Sequence, residues 1–281
     1  MTFVARLGLL HRQLTPVATA GQQREVAFGS ERFGESEERR PKVALIFGAG
    51  DGLGSAVSRR FAREGYVTVM VRRERHLAKL EALAEAINKE GGRAVALGAD
   101  ARVEGDVRRV VETAEESYGE IAFCCHNIGA NVRFPVHDTT EQVFRKVWEM
   151  ACLSGFLVGR EVTRRMAARG TGTMLFSGAT ASLRGGPGFS AFSSAKHGLR
   201  AVAQSMAREL GPKGVHVAHV VIDGAIDSPW ILENIPDAHA LAAAGGLIKP
   251  DSIAETYWQI HRQPADCWTH ETDLRPHVER W

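Results

Sequence analysis

Short apolar segments alternate with amphipathic segments along most of this chain, and this alternation restricts the fold more than any other feature. Most of the apolar runs are hydrophobic at every position, as strands are when helices cover both faces of a sheet. The runs that predict strands are residues 43–47, 67–71, 94–97, 121–125, 173–177 and 215–222. Helical periods lie between them, for example the apolar stripe within residues 77–87. This order predicts an α/β fold in one domain, with a doubly wound parallel sheet in three layers.

The glycine-rich turn after the first predicted strand indicates a nucleotide site. Gly48, Gly50, Gly52 and Gly54 lie between that strand and a helix that begins near Leu53. At such a junction the backbone turns tightly and brings bare N–H groups, together with the positive end of the helix, against a pyrophosphate. Glycines also mark ordinary turns, but strand, turn and helix occur here in the order that a dinucleotide site needs.

Composition and charge restrict the partners of the chain. Its 281 residues carry a formal net charge of +2, with basic and acidic residues interleaved, so we expect a small-molecule substrate and no nucleic acid. No apolar run reaches the roughly 18 residues of a membrane span, so no membrane partner is expected. The eleven histidines lack ligand spacing and the four cysteines form no C-x-x-C pair, so no metal site is predicted.

The first 40 residues differ from the rest of the chain and form an N-terminal extension. Three arginines occur before the first acid, Glu25, and apolar residues at 3, 4, 7, 10 and 14 would fall along one helix face. This pattern is typical of a mitochondrial transit peptide, although serine is nearly absent; a disordered tail followed by a charged linker is the alternative. Mitochondrial and cytoplasmic locations therefore both stay open. The globular domain is expected to occupy residues 41–281.

Several motifs occur together in the order found in one enzyme family. The glycine spacing is G-x-x-x-G-x-G, "GAD" with Asp100 ends the third strand, and "HNIG" with Asn127 and Gly129 follows the fourth. Over about residues 41–270 the chain resembles the short-chain dehydrogenase/reductase family. The resemblance implies a Rossmann-type fold and a cofactor site that includes Gly48, Gly52, Leu53, Gly54, Asn127 and Gly129, with Asp100 meeting the adenine amino group.

The end of the second strand bears on the choice of nicotinamide nucleotide. Members of the family that use NAD place a carboxylate there, whereas this chain has Val71 followed by Arg72 and Arg73. A guanidinium can pair with a 2′-phosphate in a fork geometry, and a solvated arginine pair is the alternative. Asp51 in the glycine turn argues against a phosphate. The resemblance favours NADP(H) over NAD(H), with Arg72 as the binding residue.

The catalytic residues of the family are mostly replaced. Members use an Asn, a Ser, a Tyr and a Lys, and the corresponding positions here are Cys152, Ala179, Phe192 and Lys196. A related arrangement, with Tyr seven residues before the Lys, also fails because that position is Phe189. A positioned general acid contributes on the order of 10²–10⁴ in rate, so ordinary carbonyl reduction should be impaired. Lys196 can still hold the ribose hydroxyls.

Other polar residues near these positions could replace the missing donors, although each also fits a turn or packing role. They are His126, Ser177, Thr180, Ser182, Ser190, Ser193 and Asp223. A substrate that accepts hydride without a strong acid, such as an activated C=C bond or an iminium, is a further alternative.

The resemblance also implies features around the substrate. Ile226 would hydrogen-bond the nicotinamide carboxamide through its backbone, and a lid at about 228–250 with several apolar residues suggests an apolar ligand. Helices at about 139–169 and 190–210 would form a homodimer or homotetramer. Two hypotheses follow: an atypical NADP(H)-dependent oxidoreductase, or a non-catalytic NADP(H)-binding protein acting as a sensor or an inactive oligomer partner.

Overall fold

The strands of the structure, a computed structural model that describes residues 40–279, follow the predicted apolar runs closely. The predicted transit peptide and nearly all of the linker lie outside the described residues, so both stay predictions. The strands are β1 (Lys42–Phe47), β2 (Val67–Arg72), β3 (Arg93–Gly98), β4 (Glu120–His126), β5 (Gly172–Ser177), β6 (Val215–Ile222), β7 (Ala225–Ile226), β8 (Leu247–Ile248) and β9 (Glu271–Leu274).

Seven of these strands form one parallel sheet, in the order β3-β2-β1-β4-β5-β6-β9. The chain builds outward from β1 to β3 and then returns to place β4 on the other side of β1. At such a reversal the connections leave in opposite directions and open a crevice at the carboxyl ends of the strands. The doubly wound parallel sheet predicted from the alternation is confirmed.

Helices cover both faces of this sheet. They are α1 (Leu53–Arg63), α2 (Leu77–Lys89), α3 (Glu104–Thr113), α4 (Glu141–Trp148), α5 (Ser154–Arg169), α6 (Ser190–Leu210), α7 (Pro229–Asn234), α8 (Ala238–Ala243) and α9 (Pro250–His261). A π-helical turn at Glu149–Leu153 joins α4 to α5, so the predicted helix at about 139–169 is continuous but locally widened. None of the helices within residues 40–279 is long and apolar enough to cross a membrane.

The core consists of two apolar layers, one on each face of the sheet. On the first face, α1, α2 and α9 pack on the strands, and the ring of Phe61 stacks on Phe123 at 4.1 Å between centroids. On the second face, α3, α5 and α6 bury Val110, Val158 and Leu199 completely. The strands are apolar at nearly every position because each of their faces is covered.

The edge strand β9 was not predicted from the sequence. Its residues, E-T-D-L, are mostly polar and only half-buried, because β9 pairs with β6 on one side only. Glu271 is fixed there by Arg200 of α6, which donates two hydrogen bonds at 2.5 and 2.6 Å, and by the ring of His219 at 2.9 Å. Because side-chain ion pairs hold this edge strand, its sequence lacks the apolar pattern from which a strand is predicted.

Shortening Phe123 to alanine tests the first apolar layer. We expect Phe123→Ala to lower the free energy of unfolding by about 3–5 kcal/mol, because it removes a buried ring and leaves a cavity beside Phe61. Val103→Ala is the matched control, since Val103 is exposed and its truncation should cost under about 0.5 kcal/mol. Urea denaturation of both variants measures the difference. A loss below about 1 kcal/mol for Phe123→Ala would contradict this description of the core.

Candidate functional site

The glycine turn closes tightly between β1 and α1. Gly48 has φ +90°, a conformation that side chains other than glycine rarely adopt, and its amide donates to the carbonyl of Val71 at 2.9 Å. A Cβ at position 54 would lie 2.5 Å from the carbonyl oxygen of Gly48, so the start of α1 presses directly against the turn. Leu53, at the first position of α1, is buried in the core. Glycine is therefore required at positions 48 and 54 by geometry.

A cavity of about 200 Å³ lies beside this turn, at the carboxyl ends of β1 to β4. Of the glycines in the turn, Gly48 and Gly50 line it, whereas Gly52 faces Ser228 and Gly54 packs against the backbone of Gly48 and Ala49. The remaining wall residues come from the segments that follow the four strands, and they include Arg72, Arg73, His76, Asp100, Arg102, Asn127, Ile128 and Gly129. Five of the ten predicted cofactor-binding residues line this cavity: Gly48, Arg72, Asp100, Asn127 and Gly129.

Basic side chains gather on one wall of this cavity. The guanidinium of Arg72 lies against Gly50 and is 3.8 Å from the carboxylate of Asp51. The guanidinium of Arg73 has no hydrogen-bond or ion-pair partner among residues 40–279. Burial, and then the charge of neighbouring arginines, lowers the pKa of Arg73, and the same two causes lower the pKa of His76. Uncompensated positive charge of this kind favours an anion.

Asp100 lies where the sequence analysis expected it, but its carboxylate already has a partner. Arg102 donates to it from Nε at 2.9 Å and from Nη2 at 2.5 Å, and these hydrogen bonds lower the pKa of Asp100. The sequence analysis missed Arg102, which adds a further guanidinium to the wall of the cavity. No sequence signal distinguished it from the other surface arginines.

The segment after β4 connects this cavity to a second one. The side-chain amide of Asn127 donates to the carbonyl of Gly48 at 3.1 Å, which ties the end of β4 to the glycine turn. Asn127, Ile128 and Gly129 line both cavities. A long ligand could therefore extend from the basic wall, over the glycine turn, into the second cavity.

The second cavity is larger, about 830 Å³, and mostly apolar. Its floor carries Ala179, Phe192 and Lys196, and Ile226 lies at one side. The predicted lid contributes Trp230, Ile231 and Ile235 from α7 and the turn after it. The second cavity thus combines three of the positions assigned to catalysis with the segment assigned to substrate enclosure.

Lys196 is the only ionisable side chain retained from the family's catalytic set. It is 4% exposed, and its ammonium donates to the backbone carbonyls of Ser177 at 2.8 Å and Ile128 at 3.2 Å. Burial lowers the pKa of Lys196 to about 8. Two of its three N–H groups are thus used by the protein, and the third is available to a ligand in the second cavity.

Phe192 and Ala179 leave this cavity without the hydroxyls of the family pattern. The ring of Phe192 has its centroid 6.0 Å from the Lys196 ammonium, so an aromatic body is retained beside the lysine. The backbone N–H of Ala179 is not free to bind a substrate, because it donates to the hydroxyl of Ser182 at 3.1 Å. Neither side chain has a proton to give.

Cys152, at the position of the family's asparagine, does not reach either cavity. It lies on the π-helical turn between α4 and α5, and its sulfur packs against Gly198 of α6. Burial raises the pKa of the Cys152 thiol. Among the described residues, Cys152 therefore packs between helices and lines neither cavity.

Most of the proposed substitute donors are already engaged. The hydroxyl of Ser177 bonds to that of Tyr257 at 2.7 Å, and Thr180 donates to Asp223 at 2.6 Å. His126 is buried beneath the floor and bonds to Ser154 at 2.7 Å, while burial lowers the pKa of His126 to about 3. Each of these four side chains is therefore already hydrogen-bonded within the protein.

Comparison with known proteins agrees with the motifs and the sheet. The family model for short chain dehydrogenases matches residues 42–235. This chain belongs to the short-chain dehydrogenase family. The uncharacterized oxidoreductase YuxG of Bacillus subtilis is 32% identical over 219 residues, which cover 77% of this chain and 31% of YuxG. An uncharacterized oxidoreductase of Methylorubrum extorquens is 27% identical over 225 residues, covering 80% and 86% of the two chains.

Solved structures extend this comparison to the fold. A short-chain dehydrogenase from Rhodopseudomonas palustris is 45% identical, with a TM-score of 0.72, and the match covers 84% of this chain and 99% of that one. A metagenomic short-chain oxidoreductase, 22% identical, has the same fold with a TM-score of 0.70 over 85% and 98% of the two chains.

Adding one methyl group at Gly54 tests how tightly the glycine turn packs against the start of α1. Gly54→Ala should lower the free energy of unfolding by about 1–3 kcal/mol, because the new Cβ would overlap the backbone of Gly48 and Ala49. Gly105→Ala in α3 is the control, since its Cβ would meet nothing within 4 Å. Chemical denaturation measures both. If Gly54→Ala proved as stable as the wild type, the turn would be looser than described.

Proposed function

We propose that this chain is an NADP(H)-dependent oxidoreductase that transfers hydride to or from a small, largely apolar substrate. The observation that carries the proposal is the continuity between the basic cavity beside the glycine turn and the second cavity above Lys196, through Asn127, Ile128 and Gly129. This arrangement suits a long dinucleotide with anionic groups at one end and a nicotinamide at the other.

The preference for NADP(H) over NAD(H) rests on charge. Arg72 and Arg73 follow β2, where a carboxylate would otherwise bind the ribose 2′-hydroxyl, and His76 and Arg102 complete the basic wall. A guanidinium fork suits a phosphate dianion better than it suits a hydroxyl. The metagenomic relative was solved in complex with NADP, and an actinorhodin polyketide ketoreductase variant with NADPH. Because these two proteins are 22% and 20% identical to this chain, their cofactors support the proposal only through the shared fold.

Different residues of the chain would bind different parts of the cofactor. Gly48, Gly52 and Gly54 keep the turn open to a pyrophosphate, and Asp100 accepts from the adenine amino group, since a carboxylate oxygen already bonded to Arg102 can accept again. Lys196 donates its third N–H to the nicotinamide ribose. A bound nicotinamide supplies or accepts the hydride.

The remaining cofactor contact and the substrate lie at the lid. The backbone of Ile226 would hold the carboxamide, because Ile226 borders the second cavity beside the lid. Trp230, Ile231 and Ile235 enclose the substrate and reduce its contact with water. The apolar character of this segment supports an apolar substrate.

The absence of a hydroxyl at positions 179 and 192 restricts the chemistry. A ketone becomes an alkoxide when it accepts hydride and needs a proton donor at once, which neither Ala179 nor Phe192 provides. An activated alkene or an iminium accepts hydride with less demand on an acid. The substrate of this chain is therefore proposed to belong to one of these classes.

The same two residues support a second candidate, a non-catalytic NADP(H)-binding protein. The names of the relatives, which are oxidoreductases and reductases, support the first candidate over the second. Either would be expected to assemble as a homodimer or homotetramer. Exposed aromatic rings on α4 and α5 support that expectation, namely Phe144, Trp148 and Phe156.

Titration with both cofactors tests the basic wall. NADPH should bind at least about tenfold more tightly than NADH, and Arg72→Ala should remove most of that difference, because charge-assisted hydrogen bonds contribute about 1.5–3 kcal/mol. Arg63→Ala, on an exposed turn of α1, is the control that should leave both affinities unchanged. Calorimetry gives the dissociation constants. Equal affinity for the two cofactors, or no binding of either, would contradict the proposal.

Restoring the family's hydroxyls tests the account of the chemistry. The Phe192→Tyr/Ala179→Ser double variant should gain ketone reduction by a factor of about 10² or more over the wild type, because it regains a general acid and a hydrogen-bond donor. Initial rates with NADPH on a panel of ketones, enones and imines measure the gain. A wild type that already reduces ketones as fast as the double variant would show that the missing hydroxyls do not limit catalysis.

A further inference from the structure

The hydroxyl of Ser193 is a buried polar group without a partner at the substrate end of the second cavity. Ser193 follows Phe192 on α6, is 6% exposed and lines the cavity, and its Oγ bonds to nothing among residues 40–279. Buried hydroxyls in folded proteins are nearly always hydrogen-bonded, so an unpaired one beside a cavity indicates a missing ligand or water. None of the cofactor contacts proposed above uses it.

The guanidinium of Arg184 lies at the same end of the cavity and is held in place from behind. Its Nη2 donates to both carboxylate oxygens of Asp223, at 3.1 and 3.3 Å. Asp223 is 1% exposed, accepts from Thr180 at 2.6 Å, and has Arg275 at 3.5 Å. Two guanidiniums therefore share this one buried carboxylate.

The rest of the Arg184 guanidinium is available to a ligand. Its Nε and Nη1 donate to no residue within 40–279, and the side chain is 47% exposed. A side chain that lines the cavity and is already fixed through one nitrogen loses less entropy on binding an anion.

The backbone between these two side chains leaves room for a ligand. Gly185 and Gly186 line the cavity without side chains, and a Cβ at Gly185 would lie 4.0 Å from the Ser193 hydroxyl. The wall beyond them is apolar and consists largely of Phe189, Trp230 and Ile231. The polar donors are thus confined to one end of an otherwise hydrophobic space.

Two other charged side chains line the cavity, and neither forms a hydrogen bond or ion pair with Arg184. Glu279 is the acidic side chain among the lining residues, and the ammonium of Lys196 lies on the floor. Asp223 is buried, is not among the residues that line the cavity, and accepts from Arg184 at 3.1 Å. The exposed edge of Arg184 therefore keeps its positive character toward a ligand.

We propose that Arg184 and Ser193 form an anion subsite that binds the carboxylate of an organic acid, with the apolar body of the acid against Phe189, Trp230 and Ile231. The guanidinium supplies a fork to the two carboxylate oxygens through Nη1 and the second N–H of Nη2, and the Ser193 hydroxyl donates to one of them. This inference rests on the proposal that the second cavity receives the substrate. It narrows the substrate to an amphipathic acid.

Paired ligands test the subsite directly. Hexanoate, octanoate and phenylacetate are each compared with the corresponding alcohol, with and without saturating NADPH, by calorimetry and by tryptophan fluorescence. At least one acid should bind about tenfold or more tightly than its alcohol, as a charge-assisted pair predicts. Arg184→Met should abolish that preference while leaving the affinity for the alcohol within about twofold, and Ser193→Ala should reduce it by about threefold or more.

Control variants separate the subsite from folding and from the cofactor. Arg63→Met should keep the full preference, and Arg184→Lys should recover part of it because the charge returns without the fork. Unchanged NADPH affinity in Arg184→Met and Ser193→Ala shows that both variants fold. Failure of the wild type to bind NADPH would overturn the proposed function, whereas acid binding without cofactor still reports on the subsite. Equal binding of every acid and its alcohol, or a preference that survives Arg184→Met, would overturn the subsite.

Discussion

The ammonium group of Lys196 donates to the backbone carbonyls of Ser177 and Ile128, and the arrangement of the site depends on these two hydrogen bonds. They join α6 to the ends of two neighbouring strands and form the floor on which both cavities meet. A buried ammonium group is costly unless polar groups surround it. The positions of the two carbonyls therefore fix the position of the lysine side chain. Lys196 therefore keeps a structural role, beside the ribose binding proposed for it, although the aromatic ring next to it, Phe192, carries no hydroxyl.

The two cavities have opposite character, and the difference matches the two ends of a nicotinamide dinucleotide. Beside the glycine turn, arginines outnumber the carboxylates that could neutralise them: Asp51 is 3.8 Å from Arg72, and Asp100 is occupied by Arg102. An anion relieves the repulsion that remains. Above Lys196 the surface is apolar, apart from the edge formed by Arg184 and Ser193. Under the proposed function, charge would recognise the cofactor, whereas shape and one polar edge would recognise the substrate.

The parts of this structure that the sequence predicted are those with local periodicity or a required backbone conformation. The apolar runs located six of the seven strands of the main sheet, and Gly48 and Gly54 marked the turn that geometry confirms. The strand β9 was missed because ion pairs rather than apolar alternation hold it. Arg102 and the unpaired hydroxyl of Ser193 were not distinguished, since their importance depends on which distant residues lie beside them. The position of Cys152 could be counted along the sequence, but its packing against α6 could not.

The central claim is that a cleft without the catalytic tyrosine still binds a nicotinamide nucleotide over Lys196. A crystal structure of the protein grown with NADPH tests it most directly. The account predicts the 2′-phosphate within hydrogen-bond distance of Arg72 or Arg73, and a nicotinamide ribose hydroxyl within hydrogen-bond distance of the Lys196 ammonium. Density for the cofactor elsewhere, or a nicotinamide half that lies outside the second cavity, would contradict the account.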